Sequence, residues 1–266
     1  MAELRFTILG CGSSGGVPRL GGLWGNCDPT NPKNARRRCS LLIERIDGED
    51  AATRVLIDTS PDLRAQLLEA GVGLLDAVVY THSHADHMHG IDDLRMIVFN
   101  RKARLPVWAD APTQEALLSR FGYAFVQPEG SPYPPILEMN SIAGEIAVQG
   151  AGGPIRLIPF RVRHGAMDAL GFRIADLAYL PDVSEIPDSA VAVLEGLDCW
   201  ILDALRRAPH PTHFHLERAL EWIGRMAPRR AILTNLHNDL DYDRLMAETP
   251  PHVVPAHDGM TISYRV

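Results

Sequence analysis

The stretch Thr81-His82-Ser83-His84-Ala85-Asp86-His87-Met88-His89-Gly90 decides how the whole chain is interpreted. The protein has 11 histidines in 266 residues, and four of them fall between His82 and His89. The apolar, largely β-branched run Ala77-Val78-Val79-Tyr80 precedes the stretch, and an apolar periodic segment from Ile91 to Phe99 follows it. This order predicts a buried strand, a sharp turn and then a helix.

The histidine spacing predicts a metal site. Offsets of 0, +2, +4 and +5 share no face of a regular strand or helix. Around a strand-to-helix junction, however, four side chains can converge: His82, His84, Asp86 and His87. Neutral imidazoles with one carboxylate suit Zn, Mn or Fe better than Mg or Ca. A solvated polar loop is the alternative, but such a loop does not need three histidines at these spacings.

The composition is that of a globular chain with a substantial core, since 46% of the residues are hydrophobic and 22% are charged. A formal charge of -7 argues against a surface that coats nucleic acid, so no stable nucleic-acid complex is expected. The sequence shows neither a bilayer-length apolar segment nor a secretion signal, which predicts a cytoplasmic protein without a membrane partner. The four cysteines contain no Cys-x-x-Cys pair and are expected to be free thiols.

Short strand-like runs alternate with helical segments, and no linker divides them, which predicts one domain over residues 1–266. Five apolar runs end in an acidic or metal-capable residue, namely Asp58, His82, Asp182, Asp203 and the pair Asn235 and His237. In layered α/β folds, sites gather beyond the carboxyl ends of strands. We therefore expect these five endings to face a common cleft.

Two further segments could contact a phosphate. A glycine-rich turn, Gly10–Gly16, follows the strand predicted over Leu4–Leu9, and its backbone amides could cradle an anion. The turn lacks the Lys-Ser/Thr ending of a P-loop, so a simple tight turn is an equal alternative. The basic cluster of Lys33 and Arg36–Arg38 is interpreted as a solvated face, with contact to a phosphate-bearing substrate as the alternative.

Three residues beyond the histidine stretch are candidates for the same site. His164 stands at the end of a strand and is the natural third histidine ligand. Asp182 is either a cap for a helix after Ile186 or a ligand that bridges two metals, and bridging is favoured because seven ligands are too many for one ion. Asp203 could cap a helix or accept a hydrogen bond from a ligand histidine, and both roles stay open.

His213 and His215 precede an apolar stripe at helical spacing that runs from Leu216 to Ile223. With Thr212 as the N-cap, both histidines would lie on the first helical turn. The positive end of a helix disfavours a second cation, which would lower their pKa and make a proton easy to release. That suits a general acid, whereas an ordinary exposed histidine pair is the alternative.

The element His82-x-His84-x-Asp86-His87, followed by His164, Asp182 and a late histidine, resembles the metallo-β-lactamase superfamily. A finer resemblance is to the phosphoribosyl cyclic phosphodiesterases of phosphonate breakdown. Four pieces carry it: Leu9-Gly10-x-Gly12, Gly16-Val17-Pro18, Arg38-Cys39-Ser40 and Asp258-Gly259-Met260. His213 falls where that family places a histidine thought to protonate the leaving group.

The resemblance implies an α/β (α+β) protein with the four-layer αββα metallo-β-lactamase sandwich and two divalent metal ions, Mn or Zn. One ion would be held by His82, His84 and His164. The other would be held by Asp86, His87 and the late histidine, while Asp182 and a hydroxide bridge the two. The hydroxide would attack phosphorus and His213 would protonate the departing oxygen.

Two positions depart from the family pattern. Of a Cys-x-Cys-x-x-Cys cluster and a histidine that hold a structural zinc, this chain keeps Cys27 and has Asn238 at the fourth position, so no structural zinc is expected. Asn235 stands where the family has its last catalytic histidine. A two-residue offset in an extended segment keeps the same side, so His237 is predicted to substitute, with His257 as the alternative.

The sequence therefore predicts a binuclear metal-dependent phosphodiesterase for small cyclic phosphates or nucleotide-like diesters. The first alternative is another hydrolase on the same scaffold, acting on a thioester, a lactone or RNA. The second is a binding or carrier protein that resembles the biosynthesis factor for pyrroloquinoline quinone, whose Ser-Pro-Asp-Leu-Arg element appears at Ser60–Arg64. The intact histidine set argues against a pure carrier. The oligomeric state, including a homodimer, stays open.

Overall fold

The computed structural model describes residues 2–48, 51–127 and 129–266. The chain divides into two compact units. The first comprises the segment up to Leu9, Ser40–Arg156 and Thr261–Val266, and the second comprises Gly10–Cys39 and Leu157–Met260. The single domain over 1–266 stays a prediction, and residues 1, 49, 50 and 128 lie outside the described residues.

The strands, in chain order, are β1 (Glu3–Gly10), β2 (Ser40–Ile46), β3 (Ala52–Ile57), β4 (Ala77–Val79), β5 (Leu105–Ala109), β6 (Leu137–Ser141), β7 (Ile146–Val148), β8 (Ile155–His164), β9 (Met167–Ile174), β10 (Leu177–Leu180), β11 (Cys199–Asp203), β12 (Arg230–Thr234), β13 (Val253–Pro255) and β14 (Met260–Arg265). The α-helices are α1 (Leu63–Glu69), α2 (Ala85–Met88), α3 (Leu94–Arg101), α4 (Ala111–Phe125), α5 (Asp188–Leu194), α6 (Leu216–Met226) and α7 (Tyr242–Glu248). Pro32–Asn34 and Ile91–Asp93 form 3-10 helices.

In the first unit the strand order is β14-β1-β2-β3-β4-β5-β6. Strands β2 and β3 are consecutive in the chain and pair antiparallel. From β3 to β6 the neighbouring strands run parallel. The carboxyl ends of β3 and β4 therefore share one edge, where Asp58 N donates to Val79 O at 2.9 Å. This edge carries the histidine stretch.

Close backbone contacts fix the turn after β4. A Cβ atom on Gly90 would lie 2.0 Å from Ser60 O, so a residue with a side chain would clash there. Gly90 N donates to Thr59 O at 3.0 Å, and the guanidinium of Arg120 on α4 donates to Ser83 O at 2.7 Å. The helix predicted from Ile91 to Phe99 is divided into a 3-10 turn and α3, and the short helix α2 lies within the histidine stretch itself.

In the second unit the strands follow the order β13-β12-β11-β10-β9-β8. Strands β10 to β13 run parallel, whereas β8, β9 and β10 are antiparallel neighbours. Because β10, β11 and β12 are parallel, three polar side chains gather at one edge: Asp182, Asp203 and Asn235. The sheet packs on a buried apolar cluster that includes Trp200, Leu202, Phe214, Ile223 and Leu233.

The predicted start of the helix near residue 212 is wrong. Helix α6 begins at Leu216, and His215 occupies the N-cap position with extended dihedral angles. The buried ring of Phe214 stacks near Trp222, and Phe214 O accepts from Leu205 N at 2.9 Å, which holds the preceding segment against β11. His213 therefore lies in a loop, and the helix-dipole argument for its pKa does not apply.

Two sequence predictions concern the environment of the chain. The four cysteines are buried and are free of disulfides within the described residues, as predicted. Within the same described ranges, none of the helices has the length and apolar character that crossing a bilayer requires. The cytoplasmic location stays a prediction.

Candidate metal centre

The first unit brings the histidine stretch together at the carboxyl end of β4. His82 Nε2 lies 3.0 Å from His84 Nδ1, and the rings of His82 and His87 are 4.3 Å apart. Asp86 Oδ2 lies 3.7 Å from His87 Nε2. His82 and His87 are each 1% exposed, whereas His84 is exposed and Asp86 is half-buried. The stretch thus offers three imidazoles and a carboxylate, a donor set that suits Zn or Mn.

Asp58, which follows β3, orients this set. Its buried carboxylate accepts from Thr81 N at 2.8 Å, from Thr81 Oγ1 at 2.7 Å and from His87 Nδ1 at 2.7 Å. With the proton on Nδ1, the lone pair of His87 is on Nε2, the atom that can bind a metal. Burial raises the pKa of Asp58, against the opposing effects of His87 and Thr81. The sequence predicts that Asp58 follows a strand, but no neighbouring residue in the sequence indicates that its hydrogen-bond partner is His87.

In the second unit, three predicted residues come together. His164, Asp182 and His213 each offer one ligand atom, and these atoms lie within 4.8 Å of one another. Asp182 Oδ1 is 3.9 Å from His164 Nε2 and 3.4 Å from His213 Nδ1. Asp182 is 3% exposed and does not cap a helix, since Pro187 occupies the N-cap of α5. The arrangement fits a divalent metal and leaves His213 as either a ligand or an acid.

The tautomer of His164 follows from its hydrogen bond. Its Nδ1 lies 2.6 Å from Thr212 O, and a carbonyl oxygen can only accept, so Nδ1 carries the proton. The lone pair is then on Nε2, which is the nitrogen that lies near Asp182. His164 is thereby prepared to coordinate a metal through Nε2.

Asp203, the last residue of β11, accepts a hydrogen bond from a histidine, His213. Its Oδ2 accepts from His213 Nδ1 at 2.9 Å and from Val183 N at 3.0 Å. Asp203 is fully buried, and burial raises its pKa to about 6, although the charge of His213 opposes the shift. A carboxylate in this position fixes the ring of His213 and stabilises its protonated form.

Asn235 joins the two carboxylates. Its Nδ2 lies 3.2 Å from Asp182 Oδ1 and 3.2 Å from Asp203 Oδ1, so the two amide hydrogens have two acceptors. Asn235 has a φ of 61°, in the left-handed region. The segment is therefore not extended, and the premise that His237 shares the side of Asn235 is wrong, because strand alternation needs extended backbone.

His237 and His257 were the two predicted replacements for the last ligand. His237 Nε2 accepts from Arg19 Nη2, and its Nδ1 lies 3.1 Å from Asp239 Oδ1. His257 Nδ1 lies 3.0 Å from Asp258 O, and its ring centroid is 6.1 Å from that of Tyr242. A ligand role for either histidine stays a prediction.

The region that corresponds to the family's structural zinc site contains the buried side chain of Arg36. The buried Arg36 donates to Leu240 O at 2.7 Å, to Asn34 Oδ1 at 3.2 Å and to Cys27 Sγ at 3.8 Å. Asn34 Nδ2 in turn donates to Asp241 Oδ2 at 2.7 Å. One thiol that faces a guanidinium does not fit the tetrahedral donor set of a structural zinc.

Comparison with known proteins identifies the family. A model of the β-lactamase superfamily domain matches residues 53–235. The solved structure of a new diphosphatase from the PhnP family superposes with a TM-score of 0.86 at 35% identity, over 99% of this chain and 98% of that one.

Two curated relatives carry different names. An octanoyltransferase of Porphyromonas gingivalis (strain ATCC BAA-308 / W83) is 35% identical over 97% of this chain, which spans 51% of that relative, about half its length. Coenzyme PQQ synthesis protein B of Azoarcus sp. (strain BH72) is 26% identical over 98% of this chain and 100% of that protein.

These matches confirm the predicted fold class, an α/β protein with the αββα metallo-β-lactamase sandwich. They also support the coarser functional prediction, a hydrolase of that superfamily whose histidine and aspartate clusters could hold divalent metal. The chain belongs to the β-lactamase superfamily and is similar over nearly its whole length to a member of the PhnP family.

Proposed function

We propose that the protein is a metal-dependent phosphodiesterase that hydrolyses small cyclic phosphates or nucleotide-like diesters. The observation that carries the proposal is the hydrogen bond of 2.9 Å between Asp203 and His213, beside the candidate ligands His164 and Asp182. A buried carboxylate that orients an imidazole next to metal ligands suits proton delivery to a leaving oxygen. Similarity to a PhnP-family diphosphatase favours a phosphoryl substrate.

The proposed metal ligands are those of the sequence analysis: His82, His84 and His164 for one ion, Asp86 and His87 for the other, with Asp182 shared and His237 or His257 completing the set. Divalent ions bound there, Mn or Zn, would lower the pKa of water and polarise the phosphoryl oxygens. The hydrogen bonds of His87 and His164 through Nδ1 support coordination through Nε2. The carboxylate of Asp58 keeps the His87 ring in that orientation.

His213 has the role of general acid. Asp203 accepts the Nδ1 proton, so the ring presents Nε2 to the leaving group and can donate a proton from there. Asn235 donates to both Asp182 and Asp203. Asp182 lies beside the candidate metal ligands, whereas Asp203 bonds the proposed acid, so the two carboxylates have separate roles. Proton transfer of this kind contributes about 10²–10⁴-fold to rate.

The octanoyltransferase similarity favours a second candidate, hydrolysis of a thioester on the same scaffold. Lactone and RNA substrates belong to the same class of alternative. A binding or carrier function is the third candidate, and it is kept because the chain is similar to coenzyme PQQ synthesis protein B at 26% identity. A carrier would not need an oriented acid such as His213.

A substrate panel separates these candidates. Protein loaded with Mn or Zn is assayed with bis(p-nitrophenyl) phosphate, a 2′,3′-cyclic nucleotide, an octanoyl thioester and a lactone. We expect turnover of the diesters and its loss in His82→Ala and Asp182→Ala, whereas the exposed control His252→Ala keeps it. Diester turnover that survives His82→Ala or Asp182→Ala contradicts the mechanism. Thioester turnover alone supports the second candidate.

A further inference from the structure

Thr212 lies between a candidate metal ligand and the proposed acid. Its carbonyl oxygen accepts a hydrogen bond of 2.6 Å from His164 Nδ1, and the next residue in the chain is His213. The two imidazole rings are 4.6 Å apart, with an angle of 68° between their planes. One peptide group therefore carries both the acceptor that orients the ligand and the backbone nitrogen of the acid.

The ring of His210 holds Thr212 from the preceding part of the loop. Thr212 N donates to His210 Nδ1 at 3.3 Å, and Thr212 Oγ1 lies 3.1 Å from the same nitrogen. A backbone N–H can only donate, so Nδ1 is an acceptor and the threonine hydroxyl donates to it as well. The guanidinium of Arg206 fixes the backbone before this turn, since it donates to Ala208 O at 3.0 Å and to Pro209 O at 2.6 Å.

Gly165 packs against the other side of Thr212 and leaves no room for a side chain of its own. A Cβ atom on Gly165 would lie 2.5 Å from Thr212 Cγ2 and 3.1 Å from Thr212 Cβ. Gly165 N donates to Ser184 Oγ at 3.0 Å, so the glycine backbone is fixed as well. Rotation of the threonine side chain would move Oγ1 together with Cγ2 and break its contact with His210. Thr212 is therefore held on both sides.

We propose that Thr212 is a positioning residue that fixes the metal ligand His164 and the acid His213 together. The peptide group between Thr212 and His213 is planar, so the direction of its carbonyl toward His164 also sets the direction in which the chain enters His213. The inference rests on the proposed function only for the chemical role of His213. A displacement of Thr212 must then alter metal binding and proton delivery in parallel.

The test adds a methyl group to Gly165 and then removes the atom that this group meets. Gly165→Ala should displace Thr212, and the double variant with Thr212→Ser should relieve the contact, because serine lacks Cγ2. Thr212→Ser alone is the reference for the double variant. Gly196→Ala is the matched control, since Gly196 has a φ of 67° against 64° for Gly165. No atom of the described chain outside its direct neighbours lies within 4 Å of the place of its Cβ, so this control has the same backbone strain without the steric contact.

Two readouts follow the ligand and the acid separately. Competition with a chromophoric chelator measures the affinity for Zn, which should fall about 10–100-fold in Gly165→Ala because His164 loses its outer contact. The ratio of kcat for an alkyl phosphodiester to kcat for a p-nitrophenyl diester measures the acid. This ratio should fall by up to about 10²-fold, the loss that a misplacement of about 1 Å can cause. The double variant should restore both values.

The outcomes that overturn the proposal are specific. The first is a Gly165→Ala variant in which neither readout falls, or in which only one of them falls. The second is a loss that persists in the double variant with Thr212→Ser. The third is an equal loss in Gly196→Ala, which would assign the effect to backbone strain.

Thr212→Val tests the same residue without a larger side chain. Valine keeps the shape of threonine and loses the hydroxyl that donates to His210. We expect both readouts to fall about 5-fold, which corresponds to one hydrogen bond of about 1 kcal/mol. When Gly165→Ala does not fold, unchanged values of both readouts in Thr212→Val overturn the proposal.

A spectroscopic arm separates this inference from the proposed function. In Zn-loaded protein with nitrogen-15 labelled histidine, His164 and His213 should each give an Nδ1–H signal, because Thr212 O and Asp203 accept these protons. His164→Gln and His213→Gln assign the two signals. Both should weaken in Gly165→Ala and return in the double variant, even if no diester is hydrolysed. Loss of the His164 signal beside an intact His213 signal overturns the proposal, whatever the turnover assay shows.

Discussion

Asp203 Oδ2 accepts a hydrogen bond from His213 Nδ1 at 2.9 Å, and this bond joins the last residue of β11 to the loop before α6. Asp203 is fully buried and also accepts from Val183 N, so its position does not depend on His213. The imidazole is therefore oriented by a rigid strand. That relationship supports the proposed role of His213 as a general acid.

Replacing Asp203 by Asn should slow the chemical step. The amide keeps the shape but loses the charge that stabilises protonated His213, so we expect kcat to fall about 10²–10⁴-fold. The measurement is steady-state turnover of two diesters that differ in leaving group, a p-nitrophenolate and an alkoxide. A poor leaving group needs the acid more, so the alkyl ester should lose more. Equal losses for the two esters would show that His213 is not the acid.

Replacing Asp58 by Asn should weaken metal binding in the first unit. Asn cannot accept from His87 Nδ1 and Thr81 as the carboxylate does, and loss of such outer contacts typically costs 10–100-fold in metal affinity. Competition with a chromophoric chelator measures the affinity for Zn. The exposed Asp93→Asn is the control. Identical affinities in Asp58→Asn and the wild-type protein would refute an orienting role.

Replacing Arg36 by Met should destabilise the protein by about 3 kcal/mol or more. Arg36 is 3% exposed and donates to two backbone carbonyls, Leu240 O and His237 O, which would lose a charged donor. The free energy of unfolding in urea measures the effect, with the exposed Arg64→Met as control. If the loss matches that of the control, the arginine network does not hold this region.

The carboxyl group of Asp258 should make stability fall as pH rises from about 4 to about 6. Burial raises its pKa to about 6, although hydrogen bonds from Arg37 N and Cys11 oppose the shift. An unfolded Asp has a pKa of about 3.9. Between this pKa and that of the folded state, the folded protein binds more protons, so it loses stability as pH rises. Asp258→Asn should flatten the slope of unfolding free energy against pH. An unchanged slope excludes this group as the source.

Metal analysis of His237→Ala tests whether His237 is the last metal ligand. We expect the metal content to stay at the wild-type level, because Nε2 of His237 accepts from Arg19. The loss of one ion per chain would instead establish the ligand role predicted from the sequence. His257→Ala, prepared in parallel, tests the remaining alternative.

The fold and most of the candidate ligands could be predicted from the sequence, because both depend on local sequence pattern. The strand before His82 and the strand endings at Asp182 and Asp203 all follow from apolar runs that stop at a polar residue. These features need no knowledge of distant contacts. The His-x-His-x-Asp-His spacing also indicated the family, because this element is specific.

The partners of the orienting carboxylates could not be predicted in the same way. Asp58 meets His87 across 29 positions, and Asn235 meets Asp203 across 32. Likewise, His213 was predicted on the first turn of α6 but lies in the loop before it. The apolar stripe of the helix does not indicate that Phe214 anchors this loop in the core. The left-handed backbone of Asn235 has no sequence signal, because asparagine adopts that region only in a minority of cases.

The central claim is metal-dependent hydrolysis of a phosphodiester, and turnover of bis(p-nitrophenyl) phosphate before and after metal removal tests it most directly. Purified protein is treated with chelator, dialysed, and reloaded with Mn or Zn, with bound metal counted at each stage. The account predicts two ions per loaded chain, turnover only in the loaded protein, and none in Asp182→Ala. The claim would be contradicted if the metal-loaded protein showed no turnover, or if turnover were unchanged after chelator treatment.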